Sequence, residues 1–103
     1  MNGIDKDSAE VFFNAVLSLR TPQECQAFFL DVCTIKELQD LTQRLQVAVL
    51  LNEGKNYQEI SRKTSVSSAT ISRVNRCLLY GDGGYRTVLD RMGGSGENED
   101  ENG

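Results

Sequence analysis

The sequence predicts an all-α protein of about six helices, because apolar residues recur at helical spacing along most of the 103-residue chain. Two segments, residues 21–24 and 34–37, each place a threonine three residues before a glutamate, as many helix starts do. The stretch 56–77 contains two short helical patterns with a tight break between them, which is typical of a helix-turn-helix unit. The length indicates a single domain, which we place at residues 1–92.

The first helix is predicted over residues 8–20, where one face is apolar. That face is formed by Val11, Phe12, Ala15, Val16 and Leu19. Phe13 lies beside this face and belongs either to the core or to a contact between two copies of the chain. We favour the contact between copies, because this helix precedes any core on which it could pack locally.

The second and third helices are predicted over residues 22–32 and 35–52, each after a threonine cap. The second begins with proline, which suits the first turn of a helix. Gly54 follows the third helix and can adopt the left-handed conformation that ends it. The third helix is apolar nearly all round towards its C-terminal end, which predicts burial on several sides.

Within the helix-turn-helix stretch, Asn56 and Glu59 can cap the first helix as a reciprocal pair. Ser65 occupies the turn position where glycine is common, so it must tolerate a less favourable backbone angle. Ser67 is a good N-cap for the second helix. The apolar residues expected to pack inside the unit are Ile60, Val66, Ile71, Val74 and Leu78. An ordinary hairpin of two helices in a bundle is the alternative interpretation.

The second helix of this unit opens with small and polar residues, as an element that enters a DNA groove requires. The side chains expected to face base edges or ordered water are Gln58, Ser68, Ala69, Thr70 and Ser72. Those expected to contact mainly phosphates are Arg62, Lys63, Arg73 and Arg76. Double-stranded DNA is therefore the predicted partner.

The net charge of −4 argues against nucleic acid until its distribution along the chain is considered. Residues 34–92 carry nine basic and six acidic side chains, whereas residues 93–103 carry four acidic side chains and no basic one. Within residues 55–77, five basic side chains accompany a single acid, Glu59. Because salt screens charge beyond about 10 Å, the local excess matters more for phosphate than the total.

A last helix is predicted over residues 85–92, after the glycine-rich break at 81–84. Residues 93–103 are glycine-rich and acidic, and we expect them to be disordered. This segment serves either as a solubilising tail or as an acidic mimic that competes with DNA for the basic face.

Composition argues against several other classes of function. The chain has no histidine, and its three cysteines (Cys25, Cys33 and Cys77) form no CxxC pair, so we expect no metal, no cofactor and no catalytic centre. We expect reduced thiols that are buried as small hydrophobes, with a redox switch as the open alternative. No apolar run is long enough to cross a membrane, and the first ten residues lack the plan of a signal peptide. We therefore expect a cytoplasmic protein.

Several motifs together resemble those of the Trp repressor superfamily. They are Thr34–Glu37, Leu41, Arg44, the break at Gly54, Glu59-Ile60 and Ala69-Thr70-Ile71-Ser72-Arg73. The whole chain is most similar to the TrpR-like branch, the YerC/YecD family, over about residues 8–92 and most specifically across 34–77. This resemblance implies an intertwined dimer of six-helix subunits, with a DNA-binding helix-turn-helix in each.

The resemblance also implies a co-repressor pocket in which two arginines flank an indole ring. Arg44 and Arg73 match those arginines, and Thr70 matches a pocket hydroxyl residue. Val74 replaces the glycine that gives the indole room, and Cys77 replaces a serine that holds the polar end of the ligand. Because a β-branched side chain is stiff, we do not expect tryptophan to bind, and an effector of another kind stays open. Arg44 could alternatively pair with Asp40 on the helix surface.

These observations predict a homodimeric, sequence-specific transcription regulator that represses by occlusion. The alternative is a helical protein-interaction module that kept the fold and lost DNA binding. Retention on a DNA or heparin column that weakens steeply with salt distinguishes the two.

Overall fold

The computed structural model of the protein describes residues 3–102, and side chains as far as Gly93. It contains six helices: α1 (Lys6–Leu17), α2 (Pro22–Val32), α3 (Ile35–Asn52), α4 (Tyr57–Thr64), α5 (Ser68–Tyr80) and α6 (Gly84–Asn102). No strand occurs among the described residues, so the all-α prediction is confirmed. No helix in this part of the chain is long and apolar enough to span a membrane.

The start of α3 follows directly from its sequence. Thr34 Oγ1 accepts the N–H of Glu37 at 3.0 Å, and Glu37 Oε1 accepts the N–H of Thr34 at 2.8 Å. Thr21 caps α2 in the same way, by accepting the N–H of Glu24 at 3.0 Å. Glu24, however, accepts the N–H of Arg20 rather than that of the cap residue Thr21. The return hydrogen bond of this capping box therefore falls one residue before the cap.

Helix α1 begins and ends earlier than the predicted range of 8–20. Asp5 caps it, because one carboxylate oxygen accepts the N–H of Ser8 at 2.8 Å. Hydrogen bonds from the side chain and the backbone of Ser8 lower the pKa of the Asp5 carboxyl. The apolar pattern therefore located the face of the helix, whereas the capping carboxylate fixed its start.

The chain divides into two compact units, Met1–Leu38 and Gln39–Gly103, and the division falls inside α3. In the first unit, α1 and α2 meet through phenylalanine rings, with the centroids of Phe12 and Phe28 5.9 Å apart. Much of its apolar surface is uncovered: Leu17 is 79% exposed and Phe13 is 49% exposed. The expectation of one domain over residues 1–92 stays a prediction.

The second unit contains the main hydrophobic core. The buried cluster consists of Val47, Ala48, Leu50, Ile60, Val66, Ile71, Val74 and Leu89. Three of these residues lie near the C-terminal end of α3, which confirms the predicted burial of that end. Gly54 then adopts φ +86°, as the predicted left-handed stop requires.

Three predictions meet different outcomes in the remaining segments. Cys25 and Cys77 are exposed and only Cys33 is half-buried, so the expectation of buried thiols is wrong for this chain. The reason is that α2 has no buried residue and that Cys77 lines an open cavity. The predicted helix at 85–92 lies within α6. The predicted tail at 93–103 lies almost wholly beyond the described side chains, so its disorder stays a prediction.

Candidate nucleic-acid interface

Helix α4 begins with the capping box that the sequence predicted. Asn56 Oδ1 accepts the N–H of Glu59 at 2.9 Å, and Glu59 Oε1 accepts the N–H of Asn56 at 3.3 Å. The two bonds satisfy donors that have no partner within the helix. They also engage the carboxylate of Glu59, the single acid among the five basic residues of this stretch.

The turn between α4 and α5 depends on one left-handed residue and one buried hydroxyl. Ser65 has φ 60° and ψ 20°, and its N–H donates to the carbonyl of Ser61 at 2.8 Å. The Thr64 hydroxyl donates to the carbonyl of Ile60 at 2.7 Å and accepts the N–H of Val66 at 3.2 Å. The predicted strained angle at Ser65 is confirmed. The sequence did not single out Thr64, whose hydroxyl links the last turn of α4 to the residue that follows Ser65.

The first turn of α5 is organised around Ser67. Its Oγ accepts the N–H of Thr70 at 3.2 Å, which confirms the predicted cap. Its hydroxyl also donates to Thr70 Oγ1 at 3.2 Å. Thr70 is half-buried, whereas Ser68 and Ala69 are exposed. Thr70 therefore already takes part in the cap, and of the predicted base-reading residues on α5 it is the most constrained.

The side chains predicted to contact phosphates all lie on the surface. Arg62 and Lys63 are exposed in the last turn of α4, and Arg73 and Arg76 are exposed on α5. Within the described part of the chain, neither Arg62, Lys63 nor Arg76 forms a salt bridge. Gln58 is exposed and Ser72 is half-buried. Cationic side chains at the C-terminal end of α4 also stabilise that helix by interacting with its dipole. This is their structural role in the absence of DNA.

Comparison with known proteins identifies the family. The family model for Trp repressor protein matches residues 7–93. The chain belongs to the Trp repressor protein family. YerC of Bacillus subtilis (strain 168) is 54% identical over 80 residues, which is 78% of this chain and 77% of that protein.

Two solved structures agree with this membership. A TrpR-like protein from Eubacterium eligens has a TM-score of 0.86 and 47% identity, over 90% of this chain and 96% of its own. A candidate Trp repressor from Staphylococcus aureus has a TM-score of 0.83 and 43% identity, over 86% and 89%. The predicted TrpR-like, six-helix fold is therefore confirmed. Proteins of this family are regulators rather than enzymes.

Three of the five candidate pocket residues act electrostatically on Tyr85, a residue that the sequence did not single out. Burial raises the pKa of the Tyr85 hydroxyl, the neighbouring Cys77 adds to that rise, and Arg44 and Arg73 oppose it. Cys77 and Tyr85 line the same cavity, and the charges of both guanidinium groups act on the Tyr85 hydroxyl. Tyr85 directly follows the glycines of the α5–α6 turn, and only the packing of α6 brings it to these residues.

The other two candidate pocket residues have different surroundings. Val74 is 2% exposed and belongs to the hydrophobic core cluster, and Thr70 is bound to Ser67. An open, mainly apolar cavity of about 510 Å³ lies beside Tyr85, and Cys77 is the one candidate pocket residue that lines it. Its other walls include Leu45, Asp82 and Val88. In the described chain, no three cysteine, aspartate or glutamate side chains are arranged to hold a metal ion.

Proposed function

We propose that this protein is a homodimeric, sequence-specific DNA-binding regulator that represses transcription by occluding its operator. The observation that carries the proposal is the helix-turn-helix of α4 and α5, which presents exposed basic side chains without salt-bridge partners in a chain of net charge −4. The family suggests a helical DNA-binding regulator, and the repressor role and the sequence specificity are our inference.

The charge around the unit supports attraction to phosphate. Arg62, Lys63 and Arg76 have no acidic partner in the described chain, so DNA binding would not require salt bridges to be broken. Glu59 is engaged by the backbone at the cap of α4. Because the Debye length is about 8 Å at physiological salt, the local excess of basic side chains matters more for phosphate than the net charge of the chain.

Exposed apolar side chains support the dimer. In the first unit, Leu17 is 79% exposed, and Val11 and Ile35 are each 70% exposed. Soluble monomers seldom leave so many large apolar side chains in water within one small unit, and such patches mark association surfaces. A two-fold dimer with one helix-turn-helix per subunit would read two half-sites about 34–36 Å apart, in a nearly palindromic operator.

We propose that tryptophan is not the effector. Cys77 is a weak polar partner for the amino or carboxylate group of an amino acid, and Val74 is held in the core by its neighbours. Calorimetry should show no stoichiometric binding of L-tryptophan. Tight binding that disappears in Arg44→Ala would contradict this proposal.

Selection of bound sequences from random duplexes tests the function directly. We expect one enriched, roughly palindromic site whose affinity falls steeply with salt. If the wild type binds no duplex even at low salt, the regulator proposal fails. The protein-interaction module then becomes the better account, with the exposed apolar surface as its docking face.

Variants then test which side chains contact phosphates and which discriminate bases. Arg76→Ala should weaken binding to all sequences alike and reduce the salt slope by about one per subunit. Ser72→Ala should instead shrink the gap between operator and random DNA, by about 1–3 kcal/mol for a good contact. Arg20→Ala, an arginine outside the unit, serves as the control and should change neither. The reverse pattern for Arg76 and Ser72 would contradict these roles.

A further inference from the structure

Tyr85 lies where three helices of the second unit meet. It packs against the buried cluster, to which α3 contributes Val47 and α5 contributes Ile71 and Val74. It also lines the cavity, together with Leu45 of α3 and Cys77 of α5. A side chain at the start of α6 therefore packs against residues of both α3 and α5, the helix predicted to read DNA.

The polar end of Tyr85 lies at the same junction. Arg44 of α3 and Arg73 of α5 are near enough for their charges to act on its hydroxyl. Arg73 and Cys77 are four residues apart and so share one face of α5. Tyr85 thus meets the face of α5 from which Arg73, a predicted phosphate contact, projects.

We propose that Tyr85 is the positioning residue of the recognition helix, and that its ring sets α5 for DNA binding without any small-molecule ligand. This inference rests on the proposed DNA-binding function. A tyrosine suits the role, because its rigid ring has few rotamers, an apolar body and a polar tip. A bound aromatic effector would give the same support only when present, whereas Tyr85 is always present.

The expected effect follows from population arithmetic. If loss of the ring leaves α5 correctly placed in about one tenth of the molecules, the apparent affinity for operator falls about tenfold. A chain that remains folded but binds operator less tightly distinguishes positioning from a general loss of stability.

The test uses the full chain, exhaustively dialysed to remove small molecules, with operator affinity, helicity and melting temperature measured together. We expect wild type to bind without any added ligand and Tyr85→Phe, which keeps the ring, to bind within about threefold of it. Tyr85→Ala should lose at least about tenfold. Tyr80→Ala removes the same side chain at a position that is 82% exposed, and it should match wild type.

A rescue experiment separates the ring from the rest of the side chain. p-Cresol, the free analogue of the tyrosine side chain, should enter the space left in Tyr85→Ala, as small aromatic molecules enter apolar cavities, and restore operator binding. It should not change binding by Tyr80→Ala. If Tyr85→Ala does not fold, Tyr85→Leu, which keeps apolar volume but no ring, replaces it with the same expected loss.

The outcomes distinguish this inference from the function on which it rests. A folded Tyr85→Ala or Tyr85→Leu variant that binds operator as wild type does would overturn the positioning role alone. A wild type that binds operator only after a small molecule is added would overturn it as well. A wild type that binds no duplex under any condition overturns the proposed function itself, before any variant is compared.

Discussion

The left-handed turn residue Ser65 offers a quantitative test of the helix-turn-helix geometry. It is the one non-glycine residue with positive φ in the described chain, at φ 60°. This conformation destabilises an L-residue by about 1–2 kcal/mol and glycine by almost nothing. Glycine in turn adds about 0.5–1 kcal/mol of conformational freedom to the unfolded chain. Ser65→Gly should therefore stabilise each chain by about 0.5–1 kcal/mol, a range centred on the difference of about 0.75 kcal/mol between the midpoints of these two ranges.

Gly54→Ala is the matched opposite change. Gly54 has φ +86°, and a Cβ added there would meet no atom within 4 Å. Its effect is therefore backbone strain alone, without a steric clash. The same two contributions with reversed sign predict that the free energy of unfolding falls by about 0.5–1 kcal/mol per chain.

Urea unfolding at one fixed protein concentration measures both variants, because the stability of a dimer depends on concentration. For a domain of this size, the Ser65→Gly gain corresponds to a rise of about 2–8 °C in melting temperature. A Ser65→Gly variant that is no more stable than wild type, beside a Gly54→Ala variant that is destabilised as expected, would refute the reasoning. The serine side chain would then stabilise the turn by an amount comparable to the strain.

Three further predictions concern the dimer, the acidic segment and pH. The melting temperature should fall on about hundredfold dilution, because unfolding separates the subunits; a constant value with monomer mass in solution would disprove the dimer. Deleting residues 93–103 should leave the melting temperature unchanged and modestly strengthen DNA binding, since four negative charges leave; a loss of several degrees would instead make the segment structural. Burial raises the pKa of Tyr85 above its ordinary value of 10.0, so the folded state keeps a proton that the unfolded state releases. That contribution to stability is complete below about pH 10 and declines as the pH rises through the folded-state pKa, so denaturant unfolding should show less alkaline destabilisation in Tyr85→Phe.

The sequence by itself determined the starts of α3, α4 and α5 and the presence of the helix-turn-helix. The cap at Thr34, the box of Asn56 with Glu59, and Ser67 all bond to backbone three residues away. Such contacts need no information from the rest of the fold, so the residue types alone predict them. The buried faces of α4 and α5 followed for a similar reason, because helical periodicity fixes which residues share a side.

Tertiary structure decided the surroundings of those same residues. Tyr85 lies 41 positions after Arg44 and 12 after Arg73 in the sequence. Only tertiary packing brings its hydroxyl within the influence of both guanidinium charges. Cys77 looked like a core residue by composition, yet its side of α5 opens onto a cavity. Periodicity shows which residues share a face of a helix. What covers that face depends on elements distant in the sequence, because burial is a property of the packed assembly of helices.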